Sequence, residues 1–434
     1  MAIEVTTELR VPGDKSISHR ALMLSALARG TSVLRGLLPG DDPQSTARVL
    51  RALGCSVPVL PEDGSPIVVN GRGLRGLSAP AEVLDCGNSG TTARLMLGLL
   101  AGYSFRSTLT GDESLRSRPM RRVTEPLTRM GARMVELGEP DRLPIQVEGG
   151  RLEPLDYASP KASAQVKSAL LLAGLTGRAR VRVSEPVVSR DHTERMLRAM
   201  GAPIRLERRE GEPPAVVLEP VEFLEPLDLV VPGDFSSAAF FLALALLSPA
   251  GGIRISGVGV NPTRTGLLNV IARMGGEVAQ DELREVSGEP VADLVVGPAR
   301  LRATEVTPDE VPSLIDEVPV VAILAARAEG ETRITGASEL RVKECDRLAA
   351  LATNLRAVGV EAEELPDGLV VRGTDAPLSG RVRSFGDHRI AMAFGILAAL
   401  PGNEIEIDDP DVVRISYPGY WQALEASAAS FARR

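Results

Sequence analysis

Aromatic side chains make up only 3% of this 434-residue chain, with a single tryptophan. A surface so poor in rings lacks the stacking platforms that hold single-stranded nucleic acid. A net charge of −8 likewise excludes a general binder of nucleic acid or of anionic membranes. The three cysteines, Cys55, Cys86 and Cys345, have no metal-ligand spacing and form no even disulfide framework, which fits a reducing compartment. The start MAIEVTTELR has neither the basic region nor the apolar run of a signal peptide, and the apolar stretch FFLALALLS is too short to span a bilayer. A cytoplasmic protein with no membrane partner is expected. No serine–histidine–acid order, Walker lysine loop or zinc spacing is present.

Lysine is also scarce. Of 49 basic residues only Lys15, Lys161, Lys167 and Lys343 are lysines. Where arginine is the default, a surviving lysine marks a place for a compact ammonium that a planar guanidinium cannot fill. The three histidines occur in similar segments: His19 in RVPGDKSISHR, His192 in VVSRDHTER and His388 in FGDHRIA. These segments are expected to converge. In the first, Val11–Asp14 reads as a turn, Lys15 and Ser16 follow it, and Ser18 is expected to cap a helix through Leu27. Such a junction offers an anion both cations and backbone N–H groups.

What the chain has in abundance is a repeat. Apolar helical runs at 21–27, 92–100, 166–175, 238–247, 318–326 and 390–400 each follow a polar motif and lead through glycine into a β-like run. In five of the six a second, amphipathic helix follows, ending near glycine. The period is roughly 70–80 residues. The expected fold is α/β, with a βαβαββ unit repeated six times in two domains of three units each. Helices apolar nearly all round, such as AAFFLALALL, belong inside each domain. The stretch VEFLEPLDL (221–229) is expected to be the crossing between domains. The N-terminal strand should join the later half, because RVPGDKS and VVPGDFS share one pattern.

The remaining motifs supply charge. LDCGNSGTTAR (84–94) is a glycine-rich turn before a helix, suited to an anion or simply a capped turn. GDESLRSRPM carries Arg116 and Arg118, with Arg121 and Arg122 just beyond. SPKASAQVK holds Ser163, Gln165 and two lysines, and Ser189-Arg190 follows the next strand. SLIDE, RVKECDRL and GDHR add carboxylates and arginines in the later half. Cationic loops with a few acids and no nucleophile suit a reaction between two anions, driven by charge stabilisation and proton transfer.

Taken in order, PGDKSISHR, CGNSGTTAR, GDESLRSRPM, SAQVKSALLLAGL, SRDHTERML, PGDFSSAAFFLALAL, LIDEVP, RVKECDRL and GDHRIAM resemble the EPSP synthase family over nearly the whole chain. The resemblance implies an inside-out α/β barrel fold of two domains, residues 13–228 and residues 1–12 with 229–434, with the active site in the cleft between them. It implies transfer of the enolpyruvyl group of phosphoenolpyruvate to the 5-hydroxyl of shikimate 3-phosphate, by a monomer with no metal or organic cofactor. Phosphoenolpyruvate would be held by Lys15, Asn88, Ser89, Gly90, Arg118, Arg347 and Arg389. Shikimate 3-phosphate would be held by Lys15, Ser16, Arg20, Ser163, Gln165, Ser189, Arg190, Asp316 and Lys343. Asp316 would deprotonate the attacking hydroxyl, and Glu344, helped by Lys15, would move the proton at the methylene carbon.

Some positions depart from the pattern. Ile415 stands where some members have a lysine, Ala164 where some have a second serine, His192 where others have an aromatic residue, and Glu339 where some have asparagine. SRDHTE and LIDE resemble the branch less sensitive to glyphosate, whereas Gly90 is usual in sensitive enzymes, so sensitivity stays open. A related enolpyruvyl transferase acting on UDP-N-acetylglucosamine usually has a cysteine in the loop matching GDESLRSRPM, and there is none here. A non-catalytic clamp of similar repeats would not set Asp316, Glu344 and Asp346 among its cations.

Overall fold

Six helices are buried almost over their whole length because each carries a long apolar run with no continuous polar face. In Phe235–Leu247 every residue except the last is buried, and Ala164–Gly177 is buried from Val166 onward. Each fully buried leucine or phenylalanine in them contributes roughly 1.5–3 kcal/mol. The computed structural model describes residues 3–431, so residues 1–2 and 432–434 of the expected second domain lie outside the described residues.

The chain forms two compact units: Gly13–Val231, and the chain up to Pro12 together with Pro232 onward. The first is built around the helices Lys15–Leu27, Gly90–Ala101 and Ala164–Gly177. The last two pack closely at Gly98, where a Cβ would fall 2.1 Å from the Ala169 carbonyl oxygen. The second is built around Phe235–Leu247, Val318–Ala325 and His388–Ala399. Each unit has its own hydrophobic core.

Four repeats carry the complete βαβαββ pattern. In the second, for example, Leu84–Asp85 runs parallel to Ser107–Thr110, which pairs antiparallel with Ile145–Glu148, itself antiparallel to Arg133–Glu136. Two repeats are shorter than expected. The first has the three strands Asp228–Val230, Thr31–Arg35 and Ile67–Asn70, with a lone Ser56–Asn70 bridge in place of a hairpin. The sixth has only Ser379–Val382 and Glu404–Ile407. It does carry a second helix, Tyr420–Phe431, held by the Tyr420 hydroxyl donating to Met392 O at 2.7 Å. Tyr417, Tyr420, Trp421, Phe240 and Phe241 cluster there, with ring centroids 5.0–6.0 Å apart. Much of the chain's small aromatic supply is spent on this docking.

The units exchange strands. Val5–Leu9 pairs parallel with Gly252–Gly259 in the later unit, while Asp228–Val230 returns to pair parallel with Thr31–Arg35 in the earlier one. The stretch 221–229 is therefore not the crossing. Leu224 and Leu227 are buried in the Gly13–Val231 core, and Leu227 N donates to Ser32 Oγ at 2.9 Å. The expected boundary at 228 moves to 231, because residues 229–231 complete that sheet and core.

Candidate functional site

The lysine motif enters its helix earlier than the sequence suggested. Asp14, not Ser18, is the cap: its Oδ1 accepts from Ile17 N at 2.9 Å, so Lys15 and Ser16 form the first helical turn. Ser18 is buried and accepts from Leu38 N at 3.0 Å. Lys15 pairs with Asp42 at 3.0 Å, its side chain 15% exposed. Arg20 is held on three sides, donating to Ser16 O, Thr193 Oγ1 and Ser168 Oγ at 2.9, 2.7 and 2.8 Å.

Gly90 opens the helix Gly90–Ala101, with Ser89 as cap accepting from Thr92 N at 3.1 Å. A buried chain of hydroxyls runs behind that cap. His19 Nδ1 meets Thr46 Oγ1 at 2.7 Å, Thr46 meets Thr92 at 2.7 Å, and Thr92 donates to Ser89 Oγ at 2.8 Å. Because the Thr92 hydrogen goes to Ser89, Thr46 must donate to Thr92, and His19 must carry its hydrogen on Nδ1. Burial first, then the charges of Lys15 and Arg20, hold the His19 pKa well below the ordinary value, so the ring is neutral.

In front of the cap lie guanidinium groups. Arg118 donates to Asn88 Oδ1 at 2.6 Å and to Ser114 Oγ at 3.1 Å, while Asn88 donates to Asp112 at 2.6 Å. Arg94 donates to Gln165 Oε1 and to Pro119 O, both at 3.1 Å, and Gln165 donates to Thr91 Oγ1 at 3.1 Å. A Cβ on Gly90 would lie 2.7 Å from Arg94 Nη1 and 3.4 Å from Arg118 Nη1. Of the four arginines in and after GDESLRSRPM, Arg118 is buried and Arg122 half-buried beside Gln165, whereas Arg116 and Arg121 face solvent. Ser163 caps Ala164–Gly177, and Ser189 lies buried with half-buried Arg190 in the loop before His192–Ala199.

A second cluster belongs to the later unit. Arg347, 1% exposed, bonds Asp387 through Nε at 2.7 Å and Glu344 through Nη2 at 2.7 Å, and lies 3.5 Å from Asp316 Oδ1. Burial opposes its charge, but Asp387, Glu344 and Asp316 outweigh that and push its pKa above the ordinary arginine value. Lys343 lies 3.4 Å from Asp316 Oδ1, and Arg389 donates to Asp316 O at 2.9 Å. RVKECDRL is not one helix: Asp346 caps a helix that starts at Arg347, leaving Lys343 and Glu344 on an irregular approach. Behind this cluster Glu317, fully buried, accepts from Ser236, and Arg264 bridges Asp234 at 3.0 Å. Burial, then Asp387, raises the Cys345 thiol pKa, and burial pushes the Cys55 thiol up to about 11, so neither is a thiolate near neutral pH.

The expected site residues thus gather in two clusters, one within each unit. Sequence reasoning missed Asp42, Arg94 and Glu185, whose carboxylate pairs with Lys167 at 3.0 Å, and gave no role to Asp387 within GDHR. Arg94 had a signal, being the only charge inside the otherwise apolar run of Gly90–Ala101. Asp42 and Glu185 had none, since each is defined by a distant partner, whereas Asp387 stands in GDHR and caps the helix His388–Ala399. Among the described residues no three His, Cys, Asp or Glu side chains are placed to hold a metal ion, and no helix is long and apolar enough to cross a membrane.

The model of the EPSP synthase (3-phosphoshikimate 1-carboxyvinyltransferase) family matches residues 2–424. A curated 3-phosphoshikimate 1-carboxyvinyltransferase of Geobacter metallireducens is 50% identical over 422 residues, covering 97% of this chain and 96% of the relative. That of Gloeobacter violaceus is 51% identical over 424 residues, covering 98% and 96%. Among solved structures, an EPSP synthase from Acinetobacter baumannii matches with a TM-score of 0.81 at 38% identity, over 98% of this chain and 97% of that one. The enolpyruvyl transferase NikO from Streptomyces tendae, at 16% identity and a TM-score of 0.71 over 97% and 95% of the two chains, shares the fold.

Proposed function

This chain belongs to the EPSP synthase family, and we propose on that footing that its two clusters serve one reaction. The enolpyruvyl group of phosphoenolpyruvate passes to the 5-hydroxyl of shikimate 3-phosphate, and phosphate leaves. Both substrates are anions, so their approach needs cations that offset the repulsion. Lys15, Arg118, Arg347 and Arg389 take phosphoenolpyruvate, with Asn88, Ser89 and Gly90 lining its phosphate. Ser16, Arg20, Ser163, Gln165, Ser189, Arg190 and Lys343 take shikimate 3-phosphate. Arg94 joins the first set through its contact with Gln165 and its approach to Gly90.

The observation that carries this reading is Arg347, a buried guanidinium shared by Asp316 and Glu344 with Lys343 and Arg389 alongside. Asp316 takes the proton of the 5-hydroxyl as its oxygen bonds to the central carbon of phosphoenolpyruvate. Glu344, with Lys15, supplies a proton to the methylene carbon, giving a tetrahedral ketal phosphate. Loss of phosphate, which carries off the proton held by Asp316, and return of a methyl proton to Glu344 then regenerate the double bond as the enolpyruvyl ether. No cofactor enters these steps. The enzyme acts in the cytoplasm as a monomer, which size-exclusion chromatography with light scattering tests.

Phosphate release from the two substrates together tests the activity. Asp316→Asn and Glu344→Gln should each lower kcat by roughly 10²-fold or more while shikimate 3-phosphate still binds. A variant that fails only in binding would remove its residue from the proton-transfer role.

A further inference from the structure

Lys167 has no place in either substrate set, although it is one of only four lysines. It lies in the first turns of the buried helix Ala164–Gly177 and is 1% exposed. Its ammonium is 2.8 Å from Glu194 Oε1 and 3.0 Å from Glu185 Oε2, and it donates to Ser189 O at 3.2 Å. Burial disfavours the charge, but Glu194 and Glu185 outweigh it and raise the lysine pKa above its ordinary value. A buried ion triad gives little net stability over well-packed apolar side chains. Its residue types therefore need another reason.

Glu185 supplies one. Its Oε1 accepts from Ser163 N at 2.7 Å, and the Ser189 hydroxyl donates to both carboxylate oxygens at 2.8 and 2.7 Å. A single carboxylate thereby fixes the cap of the helix Ala164–Gly177 and a residue of the loop after the strand Val181–Ser184. Left without a counterion, it would repel a phosphate brought to those serines. Glu194, the other carboxylate on the ammonium, meets neither serine in the described contacts.

We propose that Lys167 and Glu185 are positioning residues for shikimate 3-phosphate: the carboxylate sets Ser163 and Ser189, and the ammonium holds and neutralises the carboxylate. This rests on the reading above that those serines contact that substrate.

Calorimetric titration of the full chain with shikimate 3-phosphate alone tests it. Glu185→Gln should weaken Kd roughly tenfold, whereas Glu194→Gln should lower the Tm yet leave Kd within about twofold of the parent. Lys167→Met should bind worst, because it bares the carboxylate. Adding Glu185→Gln to it should recover part of the loss, a coupling that independent sites would not show. If Glu185→Gln does not fold, Glu185→Asp, which keeps the charge and shortens the reach, should show the same weakening. Wild-type affinity in a folded Glu185 variant would overturn the proposal, as would equal losses in the Glu185 and Glu194 variants. Ser163→Ala and Ser189→Ala separate the two levels. If both bind as the parent does, the assignment of the serines falls, and the positioning role with it.

Discussion

At the scale of single residues, Gly90 and His19 make the sharpest predictions. Gly90 does not have the positive backbone angle that Gly87 has (φ 58), so alanine there brings no backbone strain. The added methyl instead meets the flexible tips of Arg94 and Arg118. Gly90→Ala should therefore keep its Tm while raising the KM for phosphoenolpyruvate severalfold. Inhibition by glyphosate, the longer competitor expected from the family, should weaken more. A lower Tm with an unchanged ratio of inhibitor to donor affinity would mean that the methyl acts on the fold. For His19 the sign follows from its depressed pKa. The unfolded chain takes up the proton first as pH falls through roughly 6.5, so the stability that this ring contributes is lost below that pH. Replacing it by His19→Gln should flatten the fall of unfolding free energy between pH 6 and pH 5 by up to about 1.4 kcal/mol per pH unit, read from urea titrations.

At the scale of elements, the helix Gly90–Ala101 depends on its cap more than most. Ser89 Oγ receives both Thr92 N and the last hydroxyl of the chain from His19, all of it buried. Ser89→Ala should cost about 1–3 kcal/mol, the sum of a lost cap and a stranded donor, with a lower Tm as the readout. The six buried helices were legible in the sequence because each carries a long run with few polar residues, and so were the strands after them. Caps and boundaries were less so. Asp14 outcompetes Ser18 because it stands where the chain leaves extended backbone, a distinction that residue type alone does not make. Tyr420–Phe431 was missed because alanine and serine dilute its apolar pattern and its hold on the fold is a set of aromatic contacts with a helix far back in the chain. The positive half of the site could be read from surviving lysines and clustered arginines. The buried carboxylates that hold those cations could not, since Asp42 and Glu185 are ordinary residues until the fold gives each its partner.

At the scale of the whole molecule, the strand exchange makes the two units unequal. Gly13–Val231 contains every strand of its own sheets, including Asp228–Val230. Residues 232–434 lack one strand of theirs, since Val5–Leu9 comes from before Gly13. A fragment of residues 13–231 should therefore fold alone with a cooperative transition, whereas residues 232–434 should be unstable until a peptide of residues 1–12 is supplied. Equal stability of that fragment with and without the peptide, by thermal melting, would show the borrowed strand to be dispensable. The same exchange sets a timetable on the ribosome. The strand partner of Val5, Gly252, is made about 250 residues later, a delay of roughly 12–50 s at ordinary elongation rates. During that interval the intervening unit can complete itself while the first strand trails with its hydrogen-bonding edge open. The newborn chain thus carries an adhesive strand throughout that delay, and the hazard closes only when Gly252–Gly259 arrives to cover it.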